Sequence, residues 1–149
     1  MAALTTTRST WERAISFVQL LLPVGYTATN GGMACLDTAL PGFVYPATAG
    51  VNTQIPIGVF RFGSVAQVVG GTNVVVNVQL EPNEVWCRNW DSVTGAGAVT
   101  IANQLQEVYI ASDHEVTTTA GANAKAGRVW DVNGDGIWIQ SPFLGQSAS

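Results

Sequence analysis

The sequence predicts an all-β fold, a compact β-sandwich or small β-barrel with an extended N-terminal arm. About ten short apolar or alternating runs recur roughly every ten residues. Turn-forming Gly, Pro, Asn and Asp separate those runs. Helical periodicity with caps at both ends is missing, and only 99–105 admits a single helical turn. No fixed-period repeat is visible, which excludes a propeller or a solenoid.

Residues 1–13 are polar, Thr-rich and without a core pattern, so they read as an arm, and 14–149 as one β domain. Trp11, flanked by Arg8 and Arg13, would anchor such an arm on a neighbouring subunit, because Trp and Arg concentrate at interface hot spots. An arm folded back on its own domain is the alternative. Ala14 to Leu22 reads as a strand ending at Pro23. Asn30-Gly31-Gly32 turns into a short strand from Met33 to Leu36 that Asp37 closes. Pro41-Gly42 turns into Phe43-Val44-Tyr45. From Ile55 to Phe62 apolar residues alternate, and Pro56 predicts an edge position or a strand start.

Val74, Val76, Val78 and Leu80 alternate with Val75, Asn77, Gln79 and Glu81, the pattern of a half-buried strand. Glu81 to Glu84 reads as a turn into Val85–Trp90, its expected antiparallel partner. Gln106 to Ala111 is a strand with Val108 and Ile110 on one face, and Ser112 to His114 a turn into a strand at Glu115–Thr118. Val129-Trp130-Asp131 and Ile137-Trp138-Ile139 flank Asn133-Gly134-Asp135-Gly136, a β-hairpin whose tip tolerates positive φ.

At 149 residues the chain is long enough to bury roughly two-thirds of its unfolded surface. It is 47% hydrophobic and only 11% charged, against a usual figure of about 25%. So few charges suit a subunit that hides part of itself against neighbours. A net charge of −4 and six scattered basic residues argue against nucleic acid. The run 14–24 is too diluted by Ser16, Gln19 and Pro23 for a signal peptide, with Glu12 in the would-be basic region. No stretch approaches a membrane span, so a soluble, non-secreted chain is expected. Cys35 and Cys87 read as small buried hydrophobes, with a disulfide between them left open.

No catalytic constellation stands out, and neither an enzyme activity nor a cofactor is expected. His114, between Asp113 and Glu115, reads as an exposed turn histidine, because adjacent residues on an extended chain point apart. Asp131, Asn133, Asp135 and Gly136 match the first half of an EF-hand loop, but Pro142 stands at its twelfth position, where a bidentate carboxylate is needed. Trp86, Trp90, Trp130 and Trp138 would suit glycan stacking if exposed, although aromatic residues of β proteins more often fill cores.

Several segments together resemble one family. Met1-Ala-Ala-Leu-Thr5 with Arg8, Gly31-Gly-Met-Ala-Cys-Leu-Asp37 and Ile55-Pro-Ile-Gly58 are similar to capsid decoration (cement) proteins of tailed bacteriophages. The likeness is closer over Val99–Asn103, Val108–Asp113, Glu115–Thr117 and the hairpin Ala126–Ile139. The resemblance implies a β-tulip-like homotrimer on the outer surface of the virion, clamping major capsid protein subunits, with no catalytic residues. It makes Arg8, Trp11 and Arg13 the candidate capsid contacts. A tail or head-fibre base component is the runner-up, and a carbohydrate-binding module the third reading. The apolar run Phe17–Leu22 and the tail Ser141–Ser149 depart from the family pattern.

Overall fold

The structure, a computed structural model, describes residues 17–62, 67–69, 73–80 and 87–140. The arm and the closing tail lie outside the described residues, as do Arg8, Trp11 and Arg13. The fold is all-β. Its N-terminal half contributes β1 (Phe17–Leu22), β2 (Thr27–Thr29), β3 (Met33–Asp37), β4 (Tyr45–Pro46), β5 (Gln54–Phe60), β6 (Gln67–Val69) and β7 (Val74–Leu80). The C-terminal half contributes β8 (Arg88–Ser92), a 3-10 turn at Ile101–Asn103, β9 (Glu107–Ile110), β10 (Glu115–Thr117), β11 (Lys125–Asn133) and β12 (Gly136–Gln140).

The first half forms an antiparallel sheet in the order β1-β7-β5-β3-β4, with β2 and β6 paired beside it. This sheet curls toward closure, since Val44 N beside β4 donates to Leu21 O on β1 at 2.8 Å. The second half closes into a barrel in the order β10-β8-β12-β11-β9, with one parallel pair, β10 on β8. Barrel closure leaves that half without a free sheet edge.

Alternation explains both cores. Val108 and Ile110 of β9, Val129 of β11, and Ile137 and Ile139 of β12 point into the barrel with Trp90 and Val116. Val76 and Val78 of β7 join Leu22, Ala28, Val44 and Phe60 in a second cluster behind the sheet. β3 and β5 serve both clusters. Met33, Cys35 and Val59 pack against the barrel interior, whereas Ala34, Ile57 and Phe60 face the other way. A bulge permits this on β5. Ala34 pairs with Gly58 and Cys35 with Pro56, so Ile57 is the extra residue and turns to the second cluster.

Pro56 pairs with Cys35 of β3 beside the bulge, and the register with β7 covers only Gly58 to Phe60, which agrees with the expected edge position on that side among the described residues. One sequence expectation needs correction. Of the segment Val85–Trp90, Val85 and Trp86 lie outside the described residues, and β8 does not pair with β7. β7 lies between β1 and β5, and β8 instead joins β12 and β10 in the barrel. Alternation had given the right faces of β7, but it carries no information about which strand sits alongside.

The hairpin is present as read, with Asn133 paired to Gly136 around a two-residue tip. Of the two glycines at the tip, only Gly136 needs its freedom. Its φ is +130°, and a Cβ there would stand 2.6 Å from Trp90 O. Gly134 keeps a negative φ and has open space around it.

Candidate functional site

Three places in the described residues could carry function: the turn at His114, the hairpin tip and the exposed apolar surface. At the first, Ser112 Oγ accepts from the N–H groups of His114 and Glu115 at 3.3 and 3.0 Å, which tightens the β9–β10 turn. His114 Nδ1 stands 3.0 Å from Asp113 Oδ1, and Nε2 stands 3.8 Å from Glu115 Oε1. The hydrogen bond to Asp113 raises the imidazole pKa, with the charges of Asp113, Glu115 and Asp91 adding and partial burial opposing. The ring is 61% exposed, so this is a surface turn histidine with two acidic neighbours. The same turn ties barrel to sheet. Asp113 O accepts from Met33 N at 2.7 Å, and the Asp113 carboxylate lies close over Gly32.

At the hairpin tip the oxygens that resemble calcium ligands serve the turn itself. Asp131 Oδ1 accepts from Val132 N at 2.8 Å. Asn133 Oδ1 accepts from Asp135 N at 2.9 Å and from the Trp138 indole at 3.1 Å. No group of three His, Cys, Asp or Glu side chains converges among the described residues. Cys35 and Cys87 are not joined to each other by a disulfide. Burial, reinforced by the charge of Asp37, pushes the Cys35 thiol far above its usual range, so it behaves as a small apolar side chain.

The surface is more informative. Between Ala14 and Phe60 the only charged residue is Asp37, and it is buried. Its Oδ1 accepts from Ala39 N at 2.9 Å and from Thr53 Oγ1 at 2.6 Å, holding the turn after β3. Arg61 is the one further charge before Glu81. Asp91, Glu107, Asp113, Glu115, Asp131 and Asp135 all belong to the barrel half, as do Arg88, Lys125 and Arg128. This charge-poor half also exposes Phe17, Leu21, Val24, Leu40, Val69 and Val75. Leu21 and Val75 are register partners on the outer face of β1 and β7, so part of this apolar surface is contiguous. Contiguous apolar patches on a charge-poor surface are candidate binding surfaces.

The barrel has a smaller patch. Trp130 occupies the bulge between Val129 and Asp131, which turns its side chain outward, 59% exposed. Leu105 N donates to Val129 O at 2.7 Å, and Gln104 Nε2 donates to Trp130 O at 3.0 Å. Leu105, also exposed, is the only non-glycine described residue with positive φ, at 65°. Of the other candidate stacking residues, Trp90 is buried, Trp138 is half-buried, and Trp86 lies outside the described residues.

Sequence reading pointed to the arm and passed over Phe17, Leu21 and Val75. The available signal was the run without charges, which composition averaged over the whole chain conceals. No family model, curated protein or solved structure matches the chain.

Proposed function

We propose that the chain is a structural virion protein that binds the outside of a phage capsid and stabilises contacts between major capsid subunits. The observation that carries this reading is the segregation of charge. Among the described residues one half of the fold presents an apolar surface with Arg61 as its single exposed charge, of the kind a neighbouring protein covers, and the other half holds most of the charges, which keep an outer face solvated. The resemblance of the hairpin and of the segments before it to decoration proteins supplies the particular partner, the major capsid protein. Under this reading the contribution is mechanical. Small contacts repeated by symmetry add up over a shell, and none of them needs to be strong alone.

The test is co-sedimentation of purified chain with assembled capsids. Saturation near one copy per major capsid subunit supports decoration. A handful of copies per particle supports a tail or fibre part, and no binding refutes both. Deleting residues 1–13 separates the arm from the apolar face, because undiminished binding would remove Arg8, Trp11 and Arg13 from the contact.

A second reading draws on Trp130, whose ring is exposed and whose backbone carbonyl accepts from the Gln104 amide. It is a small aromatic platform of the kind that stacks on sugars. Binding on a glycan array that Trp130→Ala abolishes would favour a carbohydrate-binding module over the capsid reading.

A further inference from the structure

The backbone polarity of β1 follows from its neighbours. Arg61 N donates to Asn77 O at 3.1 Å, so Asn77 turns its peptide groups toward β5. Peptide groups alternate in direction along a strand. Val76 and Val78 therefore turn theirs toward β1, where their register partners are Leu20 and Val18. Phe17, Gln19 and Leu21 must then direct their N–H and C=O groups away from the sheet. Leu21 conforms, since its carbonyl accepts from Val44 N at 2.8 Å. Along the outer edge Phe17 and Gln19 have no such partner among the described residues.

Natural proteins protect open edges with charge, proline, bulges or a covering segment. β1 reads Phe-Val-Gln-Leu-Leu-Leu, without a charge or a proline, and its register with β7 runs from Phe17 to Leu22 without a bulge. We propose that this edge pairs with the same edge of a second copy, antiparallel and centred on Val18, forming a two-fold dimer.

That register follows from what is open. Centring on Val18 sets Phe17 opposite the partner's Gln19 and Gln19 opposite the partner's Phe17. All outward peptide groups of both residues then find partners on both chains. Centring on Gln19 would bring the partner's Phe17 against Leu21, where Val44 already sits. A second copy fits better than a foreign strand because a two-fold contact satisfies both edges at once and closes. Two copies of net charge −4 repel at long range, and the described charges of this part of the fold are the buried Asp37 and the exposed Arg61, whose Nε donates to Gln79 Oε1 at 3.0 Å beside Phe17. The outer face then continues across the axis, placing each exposed Phe17 ring beside the other copy's Gln19.

Sedimentation equilibrium of the full chain tests this. Over about 1 to 100 μM, the span of a transient contact, the mass should rise toward twice 15.6 kDa. Val18 and its symmetry mate form a pair with Cα atoms about 4.5 Å apart, within disulfide reach. Val18→Cys should therefore cross-link under mild oxidation, whereas the wild type, with Cys35 and Cys87 in place, should not. Gln19→Pro removes an outward N–H that β7 does not use, and it should weaken pairing at least about tenfold. If circular dichroism shows that Gln19→Pro disturbs the fold, Phe17→Lys at the same edge replaces it with the same expected loss.

A monomer at every concentration, a trimer such as the family resemblance implies, or a dimer that survives both edge variants would overturn the proposal. Capsid binding is read separately. A monomer that still decorates shells refutes the dimer alone, and a dimer that ignores shells refutes the capsid reading alone.

Discussion

Replacing Gly136 by alanine should be among the most damaging single changes in the barrel, while the same change two residues earlier should be harmless. At Gly136 the backbone has φ +130°, a region that side chains rarely enter, and holding alanine there costs about 1 to 3 kcal/mol. The new Cβ would lie 2.6 Å from Trp90 O, against 3.4 Å for the start of ordinary contact. That oxygen belongs to the backbone of β8, whose Trp90 pairs with Ile137, so it has no free rotamer to take. Relieving the overlap means moving β8 from β12, and overpacking of this sort costs about 1 to 3 kcal/mol more. Together the terms approach the lower end of the roughly 5 to 15 kcal/mol that holds a domain folded. At about 2 to 4 °C per kcal/mol, Gly136→Ala should lower the melting temperature by roughly 5 to 20 °C. Gly134 has negative φ and nothing within 4 Å, so Gly134→Ala should stay within about 0.5 kcal/mol of wild type. Thermal unfolding followed by circular dichroism at one pH gives both numbers. Equal losses at the two positions, or none at Gly136, would refute the assignment of the strained glycine and with it the close approach of β8 to the hairpin.

Three other outcomes are expected. Asp37→Ala should cost about 2 to 3 kcal/mol in urea unfolding, because it leaves Ala39 N and Thr53 Oγ1 without their acceptor near the core. The His114 imidazole has a raised pKa in the fold, so its stabilisation is fully present below its unfolded value of about 6.5 and is lost as pH rises through the folded value. The urea midpoint should thus fall slightly between about pH 5.5 and 8.5, and His114→Gln should remove that component of the slope. Calcium should leave the melting temperature unchanged, since Asn133 Oδ1 already accepts two protein donors and Asp131 Oδ1 one. A calcium-dependent rise would restore the metal reading of the hairpin.

Local chemistry was legible in this sequence, and partnership was not. The hairpin at Asn133 to Gly136 announced itself through turn residues between β-branched and aromatic flanks, and β7 through strict alternation. The 3-10 turn at Ile101–Asn103 fell in the one window left open for a helical turn. Thr27–Thr29 and Gln67–Val69 escaped notice because three residues are too few to display a period. The alliance of β8 with the barrel escaped because alternation fixes which face is wet and not which strand lies alongside. Pro56 was legible as a point where the pairing of its strand is incomplete, since the register with β7 begins only at Gly58, but the bulge beside it was not. On the interaction surface the charge-free run was visible in the letters. The open edge of β1 was not, because it depends on where Val44 and Asn77 direct their peptide groups.

The two-sided strands β3 and β5 impose an order on the birth of the molecule. Residues 17–80 leave the ribosome first and can assemble the sheet with the cluster of Leu22, Val44, Phe60 and Val78 behind it. Met33, Cys35 and Val59 on the opposite face then have nothing to meet until β8 through β12 have been synthesised. For that interval the nascent chain carries a bare apolar face beside the β1 edge, where Phe17 and Gln19 have no outward partner among the described residues. This is the state in which a slow ribosome, a warm cell or a missing chaperone would turn assembly into aggregation.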